Sequence, residues 1–304
     1  MPRLDPVALA RLGSLPLKAR VIVEGALSGL HRARLHGSSV EFAEHKEYSP
    51  GDELRHVDWR AYAKLDRYYV KQYEQESQLT VYLVLDGSGS MRFAGAGLPK
   101  VEYAGLCLAA LAYLVVQQQD KVGLLTFGGA GGGALVPPRG RASHLADLLA
   151  VIDRTIADDG GDDASPADAL ERVAELARRK RALVVLASDL FDPDDRTLAA
   201  LRRLRAQRHD VAVLQVLAPE ERTFPFEGLT LFQSLESDNR LLANPAAIRA
   251  EYLERMNGFL ARVGQELTAA GVEHHLCPTD RPVEDTLLEL LASRQRGAAA
   301  GGRR

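Results

Sequence analysis

Cysteine is scarce in this chain, and so are aromatic residues. Two cysteines, Cys107 and Cys277, and one tryptophan stand among 304 residues, with aromatics at 6%. The two thiols are far apart in sequence and neither belongs to a CxxC pair. That excludes a disulfide framework and a cysteine-based zinc site, and each thiol reads as a small core residue. Long hydrophobic runs are missing too. The longest, Leu106 to Val116, has eleven residues, short of the ~20 that a membrane span requires. The N-terminus, Met1-Pro2-Arg3-Leu4-Asp5, lacks the apolar core of a signal peptide, so the expected location is the cytoplasm. Excess charge of either sign is absent. Lys+Arg 38 against Asp+Glu 41 leaves a formal net charge of -3, which calls for neither nucleic acid nor an anionic membrane. No glycine period and no sustained heptads occur, which excludes collagen and coiled coil.

What is present is ordinary for a soluble globular chain: 46% hydrophobic and 26% charged residues, in a length that suits about two domain-sized units or one large one with an extension. Residues 1–78 differ from the rest. Short helical patterns near 6–12 and 16–30 precede a charged stretch from Glu41 to Arg60, broken by the turn signal Pro50-Gly51, and 68–73 alternates as a strand. From residue 79 onward strands and helices alternate. Continuous apolar strands are expected at 79–85, 122–127, 182–187 and 211–217, a short edge strand at 134–136 ended by Pro137-Pro138, and a last strand at 272–276. Helices are expected at 100–119, 141–156, 165–179, 194–208, 245–263 and 283–292. Unbroken apolar strands suit a sheet covered on both faces, so the expected fold is α/β, a doubly wound and mostly parallel sheet. The expected organisation is an N-terminal α+β segment at 1–78, a main domain at 79–293 with an insertion at about 219–245 that includes a hairpin, and a disordered tail at 294–304.

One loop carries the chemistry. Asp86-Gly87-Ser88-Gly89-Ser90 follows the first apolar strand directly and precedes the most apolar helix. Its side-chain oxygens fall at alternate positions, and a turn leaving the carboxyl end of a strand can aim all three at one centre, with Gly87 and Gly89 allowing a tight turn. An oxygen-only donor set suits a hard cation, Mg²⁺ or Mn²⁺, in octahedral geometry. A second acid, Asp189, follows the strand 182–187. In an open α/β sheet, ligands sit beyond the carboxyl ends of strands where strand order reverses. If the two strands are neighbours there, Asp86 and Asp189 face one cation from two sides. Competing readings of the loop fail. A Rossmann fingerprint needs glycine where Arg92 stands. A nucleophile elbow needs glycines where Asp86 and Ser90 stand. A phosphate loop needs Gly-Lys-Ser/Thr, and a phosphoaspartate loop needs a carboxylate where Ser88 stands.

Asp-x-Ser-x-Ser after a hydrophobic strand resembles the metal-ion-dependent adhesion site of the von Willebrand factor type A fold. Asp86, Ser88, Ser90 and Asp189 match four of its five usual ligand positions. The fifth, usually threonine, aligns with Ala164 or Ser165. The upstream blocks Phe42 to Glu47, Tyr48-Ser49-Pro50-Gly51-Asp52, Arg55-His56-Val57-Asp58-Trp59-Arg60 and Val70-Lys71-Gln72-Tyr73-Glu74, together with Ser188-Asp189-Leu190-Phe191, resemble a narrower prokaryotic group, domain-of-unknown-function family 58, over roughly residues 20–290. That resemblance implies genes near MoxR-type AAA+ ATPases and a chaperone-like or assembly role, with no established catalytic activity. The function it implies is a non-enzymatic protein-binding module. Mg²⁺ would be held by Ser88 and Ser90 directly, with Asp86 and Asp189 behind them and Ser165 as the candidate fifth ligand. The open position would take a carboxylate from a protein partner, a MoxR-type ATPase or its client.

Blander readings stand beside these. Asp, Ser and Gly also favour ordinary turns. Ser165, followed by Pro166 and Asp168, reads as a helix N-cap, a role that competes for its hydroxyl. The acidic run 158–163 reads as a solvated loop, and His45 and His56 as part of a surface network of charges. Trp59 reads as a packing anchor. His274 and His275 are neighbours on a strand and point to opposite faces. Two alternatives to the binding module are a metal-dependent hydrolase, which needs a general base near the ion, and a scaffold with a degenerate metal site.

Overall fold

The computed structural model describes residues 6–10, 13–34, 46–47, 69–70, 79–129, 132–159, 165–191, 195–235 and 239–301. The readings of His45, His56, Trp59 and Ala164 fall outside the described residues. The chain divides into two compact units, one of residues 1–30 with 79–304 and one of residues 31–78. In the smaller unit, β1 (Lys46–Glu47) pairs antiparallel with β2 (Tyr69–Val70).

In the larger unit six strands form one sheet: β3 (Thr80–Asp86), β4 (Lys121–Phe127), β5 (Leu135–Arg139), β6 (Leu183–Ser188), β7 (Asp210–Leu217) and, from near the C-terminus, Glu273–Pro278. Two further short strands, β8 (Thr230–Gln233) and β9 (Arg240–Ala243), form the hairpin of the expected insertion, which makes the last strand β10. The sheet order is β10-β7-β6-β3-β4-β5. All neighbours are parallel except β4 and β5. The chain starts in the middle, runs out to one edge, then returns to build the other half from β6. Strand order therefore reverses between β3 and β6, and these two pair directly, Leu85 against Ala187. The α/β doubly wound class is the one expected from the alternation of strands and helices.

Alternation of side chains along each strand divides the core in two. Val81, Leu83 and Leu85 of β3 face one layer, and Tyr82 and Val84 face the other. The first layer is covered by α2 (Leu15–Arg34), α3 (Lys100–Gln117), α4 (Ala142–Ala157) and α9 (Val283–Gly301). The second is covered by α5 (Pro166–Leu176), α6 (Asp195–Ala206) and α8 (Pro245–Ala269). Two short helices complete the set, α1 (Pro6–Ala10) and α7 (Pro219–Thr223). Helix α3 is long and apolar enough to cross a membrane by length and composition. Here it is a core helix, with fourteen buried residues.

Three departures from the sequence reading have local causes. Ala19, Ile22, Val23 and Ala26 of α2 belong to the main core, so the 1–78 segment is not one piece; its first helices are apolar on one stripe and need the sheet layer to cover them. Strand β5 runs through Pro137 and Pro138 rather than ending at them. It lies at the sheet edge, where a missing N–H costs no ladder bond, and its register shifts between Val122 and Leu124. A Cβ at the intervening Gly123 would lie 2.9 Å from the Pro138 ring. The tail expected to be disordered continues α9 as far as Gly301, since alanine, glutamine and arginine are good helix formers and no proline interrupts them.

Candidate functional site

The reversal point between β3 and β6 places Asp86 and Asp189 at adjacent strand ends. Asp86 closes β3 and is buried. Both of its oxygens are held: Ser88 N–H donates to Oδ1 at 2.9 Å, and the Ser188 hydroxyl donates to Oδ2 at 2.6 Å. Beyond it the chain turns through Gly87 and a single 3₁₀ turn at Ser90–Arg92. The Ser88 and Ser90 hydroxyl oxygens lie 3.1 Å apart. Arg92 pins the loop, donating to the carbonyls of Gly87, Thr155 and Ile156.

The glycines serve this turn through space more than through dihedral freedom. Gly89 has φ -58, which any residue adopts. Gly87 has Phe127 O and Thr155 Cγ2 where a Cβ would be, at 3.2 and 2.9 Å. The left-handed residue is Gly128, on the neighbouring β4 loop. Its φ is +77, and a Cβ there would stand 2.6 Å from Ser88 N. Gly128→Ala is therefore expected to cost about 2 kcal/mol or more of stability, read by chemical denaturation, and to displace the serine loop.

Asp189 is aimed by a strained turn. Leu190, which follows it, has φ 48 although it is a buried leucine. A non-glycine residue there costs on the order of 1–3 kcal/mol. The turn is held by Leu190 N–H donating to Ser188 Oγ at 3.0 Å and Phe191 N–H donating to Asp189 Oδ1 at 3.1 Å. Gln215, fully buried on β7, donates to the Asp189 carbonyl at 3.0 Å, and His274 Nε2 lies 2.8 Å from the Gln215 amide oxygen.

Two residues not singled out in the sequence complete the cluster. Lys100 is the first residue of α3 and is 1% exposed. Its ammonium donates to Asp189 Oδ2 at 2.8 Å and to Glu221 Oε1 at 2.7 Å. Glu221, in α7, also accepts from Ala218 N–H through its other oxygen at 2.7 Å. Burial opposes the charge on Lys100, but Asp189 and Glu221 outweigh it and raise its pKa. A cation at a helix N-terminus works against the helix dipole, and this misplacement in an apolar helix is the signal that marks Lys100. Ser188, already part of the Ser188-Asp189-Leu190-Phe191 block of the sequence, follows Ala187, the register partner of Leu85, and so lies beside Asp86.

Asp86 is left the least compensated acid. Among the described residues no ammonium or guanidinium reaches it within ion-pair distance, while Lys100 is committed to Asp189 and Glu221. Burial, then repulsion from Asp189, push its pKa up to about 6 against the hydrogen bonds from Ser188 and Ser88. With Asp86, Asp189 and Glu221 ionised and Lys100 protonated, these four groups sum to -2.

Four of the five sequence-predicted ligands thus come together. Ser165 does not join them. Its Oγ accepts Ala167 N–H at 3.1 Å and caps α5, and it lines a different cleft with Asp168 and Arg172. The capping chemistry takes the hydroxyl that the ligand reading needed. Ser90, Lys100 and Asp189 line an open cleft of about 310 Å³ whose apolar wall includes Phe93, Phe191 and Leu235.

The donor set fits a hard cation in part. Octahedral Mg²⁺ with oxygens at 2.0–2.1 Å places adjacent ligands about 3.0 Å apart, close to the separation of the two serine hydroxyls. Two hydroxyls backed by two carboxylates leave the remaining positions to water, which Mg²⁺ keeps readily. Among the described residues no group of three His, Cys, Asp or Glu side chains is placed to hold a metal. Any such site is therefore built around the serines.

Residues 44–258 match the family described as "Protein of unknown function DUF58". The uncharacterized protein Rv1480 of Mycobacterium tuberculosis is 30% identical over 303 residues, covering 98% of this chain and 93% of the relative. Among solved structures, BatB from Bacteroides thetaiotaomicron overlaps 72% of this chain and 99% of its own at 16% identity and a TM-score of 0.47. The SpRpn10 VWA domain overlaps 68% of this chain and 93% of its own at 9% identity and a TM-score of 0.41. Both overlaps are partial, and the fold assignment rests on the strand order and register given above.

Proposed function

The chain belongs to the DUF58 family, and on that premise we propose that it is a protein-binding module whose contact centres on a divalent cation, Mg²⁺ or Mn²⁺, at the Asp86–Ser88–Ser90–Asp189 cluster. The observation that carries this reading is the pair of serine hydroxyls 3.1 Å apart, one of which, Ser90, lines an open cleft, beside a buried carboxylate that no ammonium or guanidinium among the described residues reaches within ion-pair distance. A cation held there supplies a Lewis-acidic position for a carboxylate from outside. Ser88 and Ser90 are neutral donors and leave the positive charge largely uncancelled. Asp86 and Asp189 hold water or hydroxyl protons behind them. Lys100 fixes the Asp189 side chain and bridges it to Glu221. On this reading the site binds rather than catalyses, and Lys100, the one amine lining the cleft among the described residues, serves to hold Asp189 and Glu221 in two ion pairs. The partner is a protein presenting Asp or Glu, with a MoxR-type AAA+ ATPase or its client the partner that the family suggests, in the cytoplasm.

A second reading is favoured by one observation. The Lys100 ammonium already bridges two of the cluster's carboxylates, and it can serve as the resident cation of a metal-free scaffold. Binding of a purified MoxR-type ATPase, measured by calorimetry in Mg²⁺ and in EDTA, separates the two. Binding that is lost in EDTA and in Ser88→Ala supports the ion-centred contact. Binding indifferent to both supports the scaffold.

A further inference from the structure

We propose that the amino-terminal edge of the sheet, where α5 and α6 end, is a second interaction surface, and that it takes a short segment of a partner protein rich in Asp and Glu. It lies at the opposite ends of the strands from the Asp86–Asp189 cluster and does not depend on an ion there.

Helices α5 and α6 pack side by side on one face of the sheet, and each ends shortly before the next strand starts. The turns that follow them are adjacent. Leu183 of β6 pairs with Asp210 of β7, Asp210 N–H donates to the Ala182 carbonyl at 2.9 Å, and Ala182 N–H donates to His209 Nδ1 at 3.2 Å. Packing therefore merges two basic runs, 178–181 and 202–208, that are separate in the chain.

Three cations here have a structural task. Arg181, Arg205 and Arg294 surround Asp210 at 2.9, 3.3 and 3.5 Å. Six others do not. Arg178, Arg179, Lys180, Arg202, Arg203 and Arg208 are exposed and, among the described residues, make no ion pair. The two helix C-termini account for part of this, but their field falls off within the last turn. Arg208 lies beyond it and has φ 67, a left-handed conformation that disfavours any residue with a Cβ. The matching turns have Gly271 after α8 and Gln119 after α3, at φ 70 and 60, so the turn itself demands no arginine.

Charge decides what fits. Asp210, Glu175 and Glu273 stand against nine cations, which leaves the patch at +6 on a chain of net charge -3. The remainder of the chain then carries -9. A nucleic-acid duplex or a bilayer extends past the patch and meets that excess of acid, whereas a short segment keeps its carboxylates within the patch. Residues 171–182 and 195–211 contain no Phe, Tyr or Trp on which bases stack or that anchor in a membrane interface. Leu176 is the one large hydrophobic residue exposed in them. Five of the six free cations are arginines, whose planar fork pairs with both oxygens of a carboxylate. The axes of packed helices are about 8–10 Å apart, so about five extended residues, at ~3.3 Å each, cross both helix ends.

The test uses the full chain in EDTA at physiological salt. A labelled nonapeptide of alternating Glu and Ser, the same peptide with Gln for Glu, and a labelled DNA duplex are compared by fluorescence anisotropy, and phosphatidylserine vesicles by co-sedimentation. The Glu peptide is expected to bind saturably, about tenfold or more tightly than the Gln peptide, and to weaken as salt is raised. Arg178→Gln/Arg203→Gln/Arg208→Gly is expected to weaken it about tenfold without lowering the melting temperature, since glycine suits the turn at 208. Arg179→Gln/Lys180→Gln repeats the comparison without touching a helix or a left-handed residue. Arg139→Gln/Arg141→Gln/Arg262→Gln removes the same charge as the first variant from three exposed arginines elsewhere and is expected to shift affinity less than about threefold. Equal losses in patch and control variants would reduce the effect to net charge and overturn the proposal. Failure of the Glu peptide to bind would overturn it too. Tighter binding of the duplex or the vesicles, abolished by the patch variants, would assign the surface to nucleic acid or membrane and overturn it as well. Because every arm is run in EDTA, none of these outcomes alters the ion-centred reading.

Discussion

Lys100→Met is expected to lower the unfolding free energy by about 3–5 kcal/mol at pH 7, because it removes one partner from a buried charge cluster. Methionine replaces the aliphatic stem at similar volume, so the loss is electrostatic. Asp189 Oδ2 and Glu221 Oε1 both lose their ammonium, and the Asp189 side chain is only 4% exposed. The cost comes from leaving charges uncompensated. Adding Asp189→Asn and Glu221→Gln to Lys100→Met is therefore expected to recover much of it. Chemical denaturation of the three proteins checks both statements. A loss below about 1 kcal/mol for Lys100→Met would mean that the ammonium is effectively solvated, as in surface pairs. Excess Mg²⁺ is expected to stabilise Lys100→Met more than the parent, since the cluster then offers an additional unneutralised carboxylate to the ion.

Asp86→Asn is expected to have the opposite sign. In EDTA at pH 7 the variant should be more stable than the parent, by on the order of 3 kcal/mol. The folded-state pKa of Asp86 is raised from 3.8 to about 6, and each unit corresponds to about 1.4 kcal/mol. Between those two values the native chain binds the proton that the unfolded chain releases. Stability contributed by this group is thus full below pH ~4, falls as pH rises through about 6, and levels off above it. Asparagine holds the neutral form at every pH. It can accept from Ser88 N–H and meet Ser188 Oγ with its amide. Asp210 and Glu289, held below the usual carboxylate range against the cost of burial by arginine partners, and Glu273, held low chiefly by its hydrogen bond with His275, pull the total curve the other way in acid. The informative quantity is therefore the difference between variant and parent, measured from pH 4 to 8. That difference should grow with pH and shrink again when millimolar Mg²⁺ is present, because a ligand that binds only the folded parent stabilises it. A flat difference would mean that Asp86 titrates normally.

Much of the fold is legible in the sequence, because its strands are unbroken apolar runs that suit burial on both faces. Strands β3, β6 and β7 lie within a residue of the runs at 79–85, 182–187 and 211–217. The N-cap at Ser165 is equally local, and the structure contains it. What escaped depends on distance in space. Lys100 finds Asp189 and Glu221 across 89 and 121 residues of chain, and only tertiary packing brings an N-terminal lysine of α3 against a five-residue helix in the insertion. The two prolines of β5 mislead because proline reads as the end of a strand, whereas on an edge strand it can continue the strand with its missing N–H turned away from the ladder. Of the site, the Asp86–Ser88–Ser90 loop is readable from its spacing. Asp189 is readable only once β3 and β6 are taken as neighbours. The turn that aims it, with Leu190 in a left-handed conformation, is set by buried packing and hydrogen bonds and has no sequence signature.

The most direct measurement is a Mn²⁺ titration of the intact chain, followed by electron paramagnetic resonance, with wild type and Ser88→Ala/Ser90→Ala side by side. The expected result is one bound ion per chain in the wild type, displaced by excess Mg²⁺, and affinity weakened at least tenfold in the double variant. No saturable binding in the wild type, or the same affinity after both hydroxyls are removed, would contradict an ion held at the ends of β3 and β6 and would leave the ammonium of Lys100 as the only cation this cluster uses.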